Sequence, residues 1–287
     1  TGMARWQERI QEERDSKRMM MASNGLIAAP PRRETKGDYV GLCILIQFPD
    51  VPGTISSSEV ERFCNEKGYS GYGNAGSVND YYFDVSGGRV NYTNVVVPYY
   101  YTAKKNIAYY ADPSIRWGVR ARELITEALL YLKSKVFDFS PLTADSKGYV
   151  YALNVFYAGP TVNNWSEGLW PHCSYLAQPF DIGGGKKLYD YQITNMGNKL
   201  TLGTFCHENG HMVCSFPDLY DYGKSGITSF GVGNYCLMAY GGDDKNPVQV
   251  SAYLKYKAGW ADKATSLEAG IHTARAGKNE FFKIAKS

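Results

Sequence analysis

Five consecutive residues, His207-Glu208-Asn209-Gly210-His211, restrict the backbone more than any other stretch of this chain. Two imidazoles four positions apart meet at one point only on an α-helix, where that spacing stacks them one turn apart on a single face. Both rings can then ligate one metal ion. The carboxylate beside the first of them lies outside the ligand set, where it can act as a general base. Half of the chain's 4 His fall in this pentapeptide. The competing reading is a surface helix with two unrelated His and an exposed Glu. A zinc centre of this kind also needs a third protein donor and an open position. Asp218, seven residues past His211, is the candidate, because a chain that turns back after the helix returns a nearby side chain to the metal. Asp221 and Glu268 are the alternatives, and a turn or capping carboxylate is the ordinary role of such an Asp.

The rest of the sequence suits a folded domain around that helix. At 287 residues, 44% hydrophobic and 21% charged, it is long enough for a large core and close to average composition, which disfavours disorder and coiled coil. No apolar run approaches the length of a membrane span. Residues 1–36 hold eight Lys/Arg and five Asp/Glu, whereas the remainder balances at 23 of each sign. A folded nucleic-acid-binding face carries a positive field, so nucleic acid is not an expected partner. The 6 Cys lack C-x-x-C spacing, which argues against a Cys-only zinc site or a dithiol redox motif. Cys206 and Cys214 are two helical turns apart, too far to bridge. The chain starts at Thr1 without a charged-then-apolar leader, so it reads as a processed or truncated piece of a longer product whose export signal is absent.

Pattern and punctuation predict the elements. A charged segment from Ala4 to Met21 suits a short exposed helix, and Ala28 to Lys36 is a Pro-rich basic linker. Tyr39 to Phe48 reads as a buried strand, and Ser56 to Cys64 as a helix opened by serines. Ser77 caps a helix with Asp80 in its first turn, burying Val78, Tyr81, Tyr82 and Val85 and stopping at Gly87-Gly88. Asn91 to Pro98 is a strand. Val119 to Val136 is the strongest helix, with Leu124, Ala128, Leu129 and Leu132 as its apolar stripe. Tyr149 to Tyr157 is a second central strand, Leu188 to Thr194 an exposed or edge strand, and Asn198 to Val213 the helix bearing the chemistry.

Further downstream the sequence resembles the metzincins, which place a Met in a tight turn under their zinc ligands: Met238 fits that place, although most Met residues simply fill core. Tyr240, two residues later, sits where some metzincins put a tyrosine that approaches the metal or the oxyanion, or else it packs the cleft floor. The order of residues from His207 to Asp218 resembles the metzincin pattern H-E-x-x-H-x-x-G-x-x-H/D with two departures: Cys214 takes the place of the turn Gly, and the acidic residue comes one step late, after Pro217.

More specifically, a set of segments resembles the immune inhibitor A family of secreted bacterial zinc metallopeptidases. They are Gly76-Ser77-Val78-Asn79-Asp80-Tyr81-Tyr82, Val85-Ser86-Gly87-Gly88, Tyr157-Ala158-Gly159, Leu169-Trp170-Pro171-His172, Phe205-Cys206-His207-Glu208-Asn209-Gly210-His211, Pro217-Asp218-Leu219-Tyr220-Asp221, Gly233-Asn234-Tyr235-Cys236-Leu237-Met238 and Ala258-Gly259-Trp260. The likeness spans Asp38 to Phe282. It implies an α+β fold with a metzincin-like catalytic domain: a twisted mixed sheet, a backing helix, the active-site helix and a C-terminal subdomain. That domain would occupy 37–287, its upper part ending near 213 and its lower part starting near 214. Residues 1–36 would be an N-terminal arm, a pro-segment remnant able to lie across the cleft, or a plain leader.

The resemblance further implies Zn2+ held by His207, His211 and Asp218, with Glu208 and Tyr240 as catalytic residues. It also implies protein or peptide substrates and an extracellular location. Family members often bind Ca2+ in an acidic loop before the second central strand. Here that loop, 138–148, has lost most carboxylates and gained Lys147, and 243–246 is the other acidic turn. His172 either lines the cleft or is structural. A non-hydrolytic surface binding protein that retains a zinc site, and a zinc amidase of another substrate class, are the alternative functions.

Overall fold

The structure is a computed structural model that describes residues 34–161, 168–220, 230–275 and 277–284. The expected helix from Ala4 to Met21 and most of the arm lie outside the described residues. Glu34 to Lys36 do not behave as linker: Thr35 is fully buried, and its N–H donates to the Ala258 carbonyl at 3.1 Å.

The first strand, β1 (Gly37–Gln47), carries a continuous apolar run from Leu42 to Ile46 because both of its faces are covered there. Leu42, Ile44 and Ile46 enter one hydrophobic cluster, while Cys43 and Leu45 enter another on the opposite face. Helix α1 (Ser57–Asn65) starts where expected, with the Ser56 hydroxyl accepting from the Glu59 N–H. Helix α2 (Val78–Val85) has a full capping box between Ser77 and Asp80 and buries the four predicted side chains. Strand β2 (Val90–Thr102) runs past Pro98, where the sequence suggested a stop. Proline is tolerated there because β2 is an edge strand and its pairing with β1 shifts register between Cys43 and Leu45. The Asn65 side chain partly covers this edge, exchanging hydrogen bonds of 2.9 and 2.8 Å with the carbonyl and N–H of Asn94.

A short helix α3 (Ile107–Tyr110) precedes α4 (Val119–Ser134), whose Leu124, Ala128, Leu129 and Leu132 are buried as the periodicity requires. Strand β3 (Leu153–Ala158) is shorter than the predicted Tyr149 to Tyr157 and lies at the sheet centre. Then comes the largest departure from the sequence reading. His172–Gly183 forms β4, paired antiparallel with β5 (Lys186–Met196) through Gly184-Gly185, both at positive φ. The sheet order is β2-β1-β3-β5-β4, so the Leu188 to Thr194 segment is interior and β4 is the edge. Pro179 and the register shift between Tyr175 and Phe180 break the alternation that would have marked β4. The Gly183-Gly184-Gly185 run was the one local signal for a hairpin there.

The result is a five-stranded mixed sheet with six α-helices among the described residues, in agreement with an α+β chain. Helix α4 backs one face. Helices α1, α2 and α5 (Leu202–Cys214) pack on the other, where Phe63, Phe156 and Phe205 meet with ring centroids 4.8–6.2 Å apart. Beyond α5 come a two-residue hairpin, β6 (Gly242–Asp243) and β7 (Asn246–Pro247), helix α6 (Ala252–Lys257), and a parallel pair, β8 (Lys263–Ser266) and β9 (Glu280–Lys283). No described helix is long and apolar enough to cross a membrane.

Candidate metal centre

Helix α5 is buried along most of its length and tied to the sheet by polar contacts as well as apolar ones. The Tyr92 hydroxyl donates to Asn209 Oδ1 at 2.6 Å and accepts from Asn154 Nδ2 at 2.7 Å. Gln192 donates to Asn154 at 3.0 Å and itself accepts from Thr194 at 2.6 Å. A buried network satisfied in this way holds the helix in one register against β2, β3 and β5. Asn209→Ala is expected to cost about 2–3 kcal/mol, chiefly by stranding the Tyr92 hydroxyl. Adding Tyr92→Phe should then cost less than it does in the parent, because of the two short Tyr92 bonds only the one from Asn154 remains to be lost. Equal, additive losses in urea unfolding of the single and double variants would contradict that coupling.

The helix start is capped from a distance. Thr201 makes no capping bond of its own. Instead Asp244 accepts from the Gly203 N–H at 2.7 Å through its carbonyl and from the Thr204 N–H at 3.2 Å through its carboxylate. The acidic turn 243–246 is therefore a helix cap. At the other end the helix runs one residue further than the metzincin-like spacing suggests. The left-handed corner is Ser215 (φ 55), not Cys214. That corner costs a non-glycine residue about 1 kcal/mol or more, and bonds from Ser215 N–H to His211 O and from Phe216 N–H to Gly210 O, at 3.1 and 3.0 Å, hold it. One extra helical residue moves the following carboxylate one step later, which accounts for Asp218.

His207 Nε2, His211 Nε2 and Asp218 Oδ1 converge, with separations of 3.1 Å between the rings and 3.0 Å from each ring to the carboxylate. Among the described residues they are the one group of three or more His, Cys, Asp or Glu placed to hold a metal ion. The remote nitrogens decide the tautomers. His207 Nδ1–H donates to the Leu237 carbonyl at 2.8 Å, and His211 Nδ1–H to the Phe216 carbonyl at 2.6 Å. With both rings neutral, the two Nε2 atoms present lone pairs to each other and to a carboxylate oxygen, an arrangement that a metal ion or a proton relieves. Without a metal, protons take that place. Burial opposes charge on His207, but the bond to Asp218 and the nearby carboxylates outweigh it and raise its pKa to about 9. Burial likewise opposes ionisation of Asp218, yet the two histidines hold its carboxyl well below the usual range. Zinc–nitrogen bonds of about 2.0–2.1 Å in a tetrahedron put donors about 3.3 Å apart, so a small outward movement accommodates the ion. The donor set fits zinc.

Glu208 stands outside the three donors. It is buried, accepts from the Cys173 N–H of β4, and has its pKa raised by burial against the opposing influence of both histidines. Met238 is fully buried beneath the helix, and a Cβ at Gly210 would lie only 2.6 Å from its sulfur, so Gly at that position lets the methionine close up beside His211. Tyr240 is about half exposed, its ring 6.3 Å from that of Tyr220 and 5.1 Å from that of Phe230. Asp221 lies outside the described residues, and Glu268 is exposed and not part of the group.

The 138–148 loop and His172, both noted in the sequence, are held by structural contacts. In the 138–148 loop, the Lys186 ammonium donates to the carbonyls of Ser140 and Leu142 at 2.8 and 2.6 Å, so a side chain more than 40 positions away adds a positive charge to that of Lys147. His172 is buried between Trp117 and Trp170, donating through Nδ1 to the Trp170 carbonyl at 2.7 Å and accepting from the Tyr191 hydroxyl at 3.0 Å. Burial is the main cause that lowers its pKa to about 3. Between that value and the ordinary 6.5 the unfolded chain binds more protons, so stability falls as pH falls through this window. At pH 4.5 the loss from this residue is about 3 kcal/mol. Urea midpoints at pH 7 and 4.5 should differ less in His172→Gln than in the parent, and parallel acid limbs would contradict this.

No model of a known protein family matches this chain, and no curated protein matches it.

Proposed function

We propose that the protein is a zinc-dependent endopeptidase of metzincin-like architecture, related to the immune inhibitor A family and acting outside the cell. The observation that carries this reading is the convergence of two Nε2 lone pairs and a buried carboxylate oxygen, with both Nδ1–H groups committed to backbone carbonyls and Glu208 alongside but outside the donor set. A structural zinc site fills all four positions and has no use for a base; here three donors come with an acid–base group. When bound, the metal supplies Lewis acidity towards a carbonyl and lowers the pKa of water towards neutrality.

The chain's own residues supply the rest. Glu208 takes a proton from the attacking water and returns it to the departing amine nitrogen. Its raised pKa suits that exchange, and the Cys173 N–H keeps it oriented. Tyr240, packed on the ring two residues after Asp218, is assigned to the developing oxyanion. Because β4 is the sheet edge and its Cys173 touches Glu208, an extended substrate lies along β4 by strand addition, rather than along Leu188 to Thr194.

Incubation of the zinc-loaded protein with unfolded casein should yield internal fragments with new N-termini, and 1,10-phenanthroline should stop their formation. Intact casein with a fully loaded site would leave the binding-protein reading. Release of acetate from acetylated substrates without peptide cleavage would favour the amidase.

A further inference from the structure

We propose that Trp260 is a positioning residue for the metal site, linking the segment at Thr35 to the orientation of His211. The inference rests on the metal-binding reading of the triad. Trp260 follows α6, is completely buried, and donates through Nε1 to the Thr35 carbonyl at 2.6 Å. Thr35 is equally buried and returns its N–H to Ala258, so the chain entering β1 and the chain leaving α6 are stitched together around the indole. The edge of the Phe216 ring meets the indole at a centroid distance of 5.5 Å and an interplanar angle of 82°. Phe216 is the residue whose carbonyl accepts from His211 Nδ1–H.

The Phe216 peptide is thus gripped from two sides. Its N–H is held by the end of α5 through Gly210 O, and its side chain is held by Trp260. Its position sets where the carbonyl points. The carbonyl in turn fixes both the tautomer and the ring angle of His211, which decide where the Nε2 lone pair is aimed. The other ligand is oriented by a different residue, not by Phe216. His207 is oriented by the Leu237 carbonyl, and the N–H of that same residue is bonded to Gln249 O at 3.2 Å. Loosening Trp260 should therefore disturb one histidine and spare the other, a signature that general destabilisation does not produce.

The test uses the full chain with Co2+ as the probe. Trp260→Phe keeps an aromatic ring but loses the indole N–H, and Phe216→Leu loses the edge-on ring contact. Both are expected to weaken Co2+ binding about tenfold and to alter the visible absorption of the bound ion. In the metal-free protein, the His211 Nδ1–H resonance should shift while that of His207 stays in place. If the parent binds Co2+ and both variants bind it with unchanged affinity and spectrum, the proposal is overturned. The same holds if the two histidine resonances move together. A parent chain that fails to bind Co2+ at all would overturn the metal-binding reading, and this inference with it.

Discussion

Glu208→Gln is expected to abolish measurable peptide hydrolysis while the protein still takes up one zinc. The amide is nearly isosteric with the carboxylate, and its carbonyl oxygen can keep the bond from the Cys173 N–H, so the fold around the site should be undisturbed. Only the capacity to accept and return a proton is removed. General acid–base catalysis contributes about 10²–10⁴-fold, and the fall in turnover should be at least of that order. Glu208 is buried beside both histidines, and no described carboxylate other than Asp218 joins the converging group, so a ready substitute base is absent among the described residues. Zinc content by mass spectrometry, together with casein fragmentation, checks the two halves of the prediction. A variant that digests casein like its parent would remove Glu208 from the mechanism.

The second large effect is expected from Asp218→Ala. Its carboxylate oxygen is 3.0 Å from each Nε2, and its side chain is almost completely buried. With it removed, two imidazoles remain, too few to hold zinc in a water-accessible site, and affinity should drop by at least a hundredfold. The metal-free protein should suffer as well. Asp218 is the anion that holds His207 protonated, and removing one member of a buried charged pair costs about 3–5 kcal/mol. A metal that binds only the folded state should raise the melting temperature of the parent, and that rise should vanish in the variant. An unchanged zinc stoichiometry and an unchanged zinc-induced shift would assign the third ligand to another residue.

The elements that the sequence made legible are those decided within a turn or two of chain. The Ser77–Asp80 capping box, the four buried positions of α2 and the apolar stripe of α4 all follow from side-chain period and a nearby oxygen. The same is true of His207 and His211, whose spacing alone places them together once the helix forms. Asp218 was readable as a candidate but not separable from Asp221 or Glu268, because its place depends on where the helix ends. Ser215 rather than Cys214 makes that corner, and a left-handed serine has no local signal strong enough to announce it.

What stayed hidden is what pairing between distant segments creates. β4 could not be found by alternation, since Pro179 and a register shift interrupt it, and the edge position of any strand is a property of its neighbours. The second partner of each histidine of the triad is a backbone carbonyl, which carries no residue identity at all. Leu237 lies 30 positions from His207 and Phe216 lies beyond a turn from His211, so neither could be read from spacing. Likewise, only the folded chain shows Lys186 adding a second charge to the 138–148 loop and Asp244 capping α5.

By itself the sequence determined a helix with two imidazoles on one face, the capped helices around it and the apolar strand at the centre of the sheet. These depend on bond geometry and local hydrogen bonds, which act over a few residues. The tertiary structure alone decided which carboxylate completes the triad, which nitrogen of each ring faces it and which strand runs beside Glu208. Those are set by contacts that exist only after the loss of chain entropy has been offset by burying the two faces of the sheet.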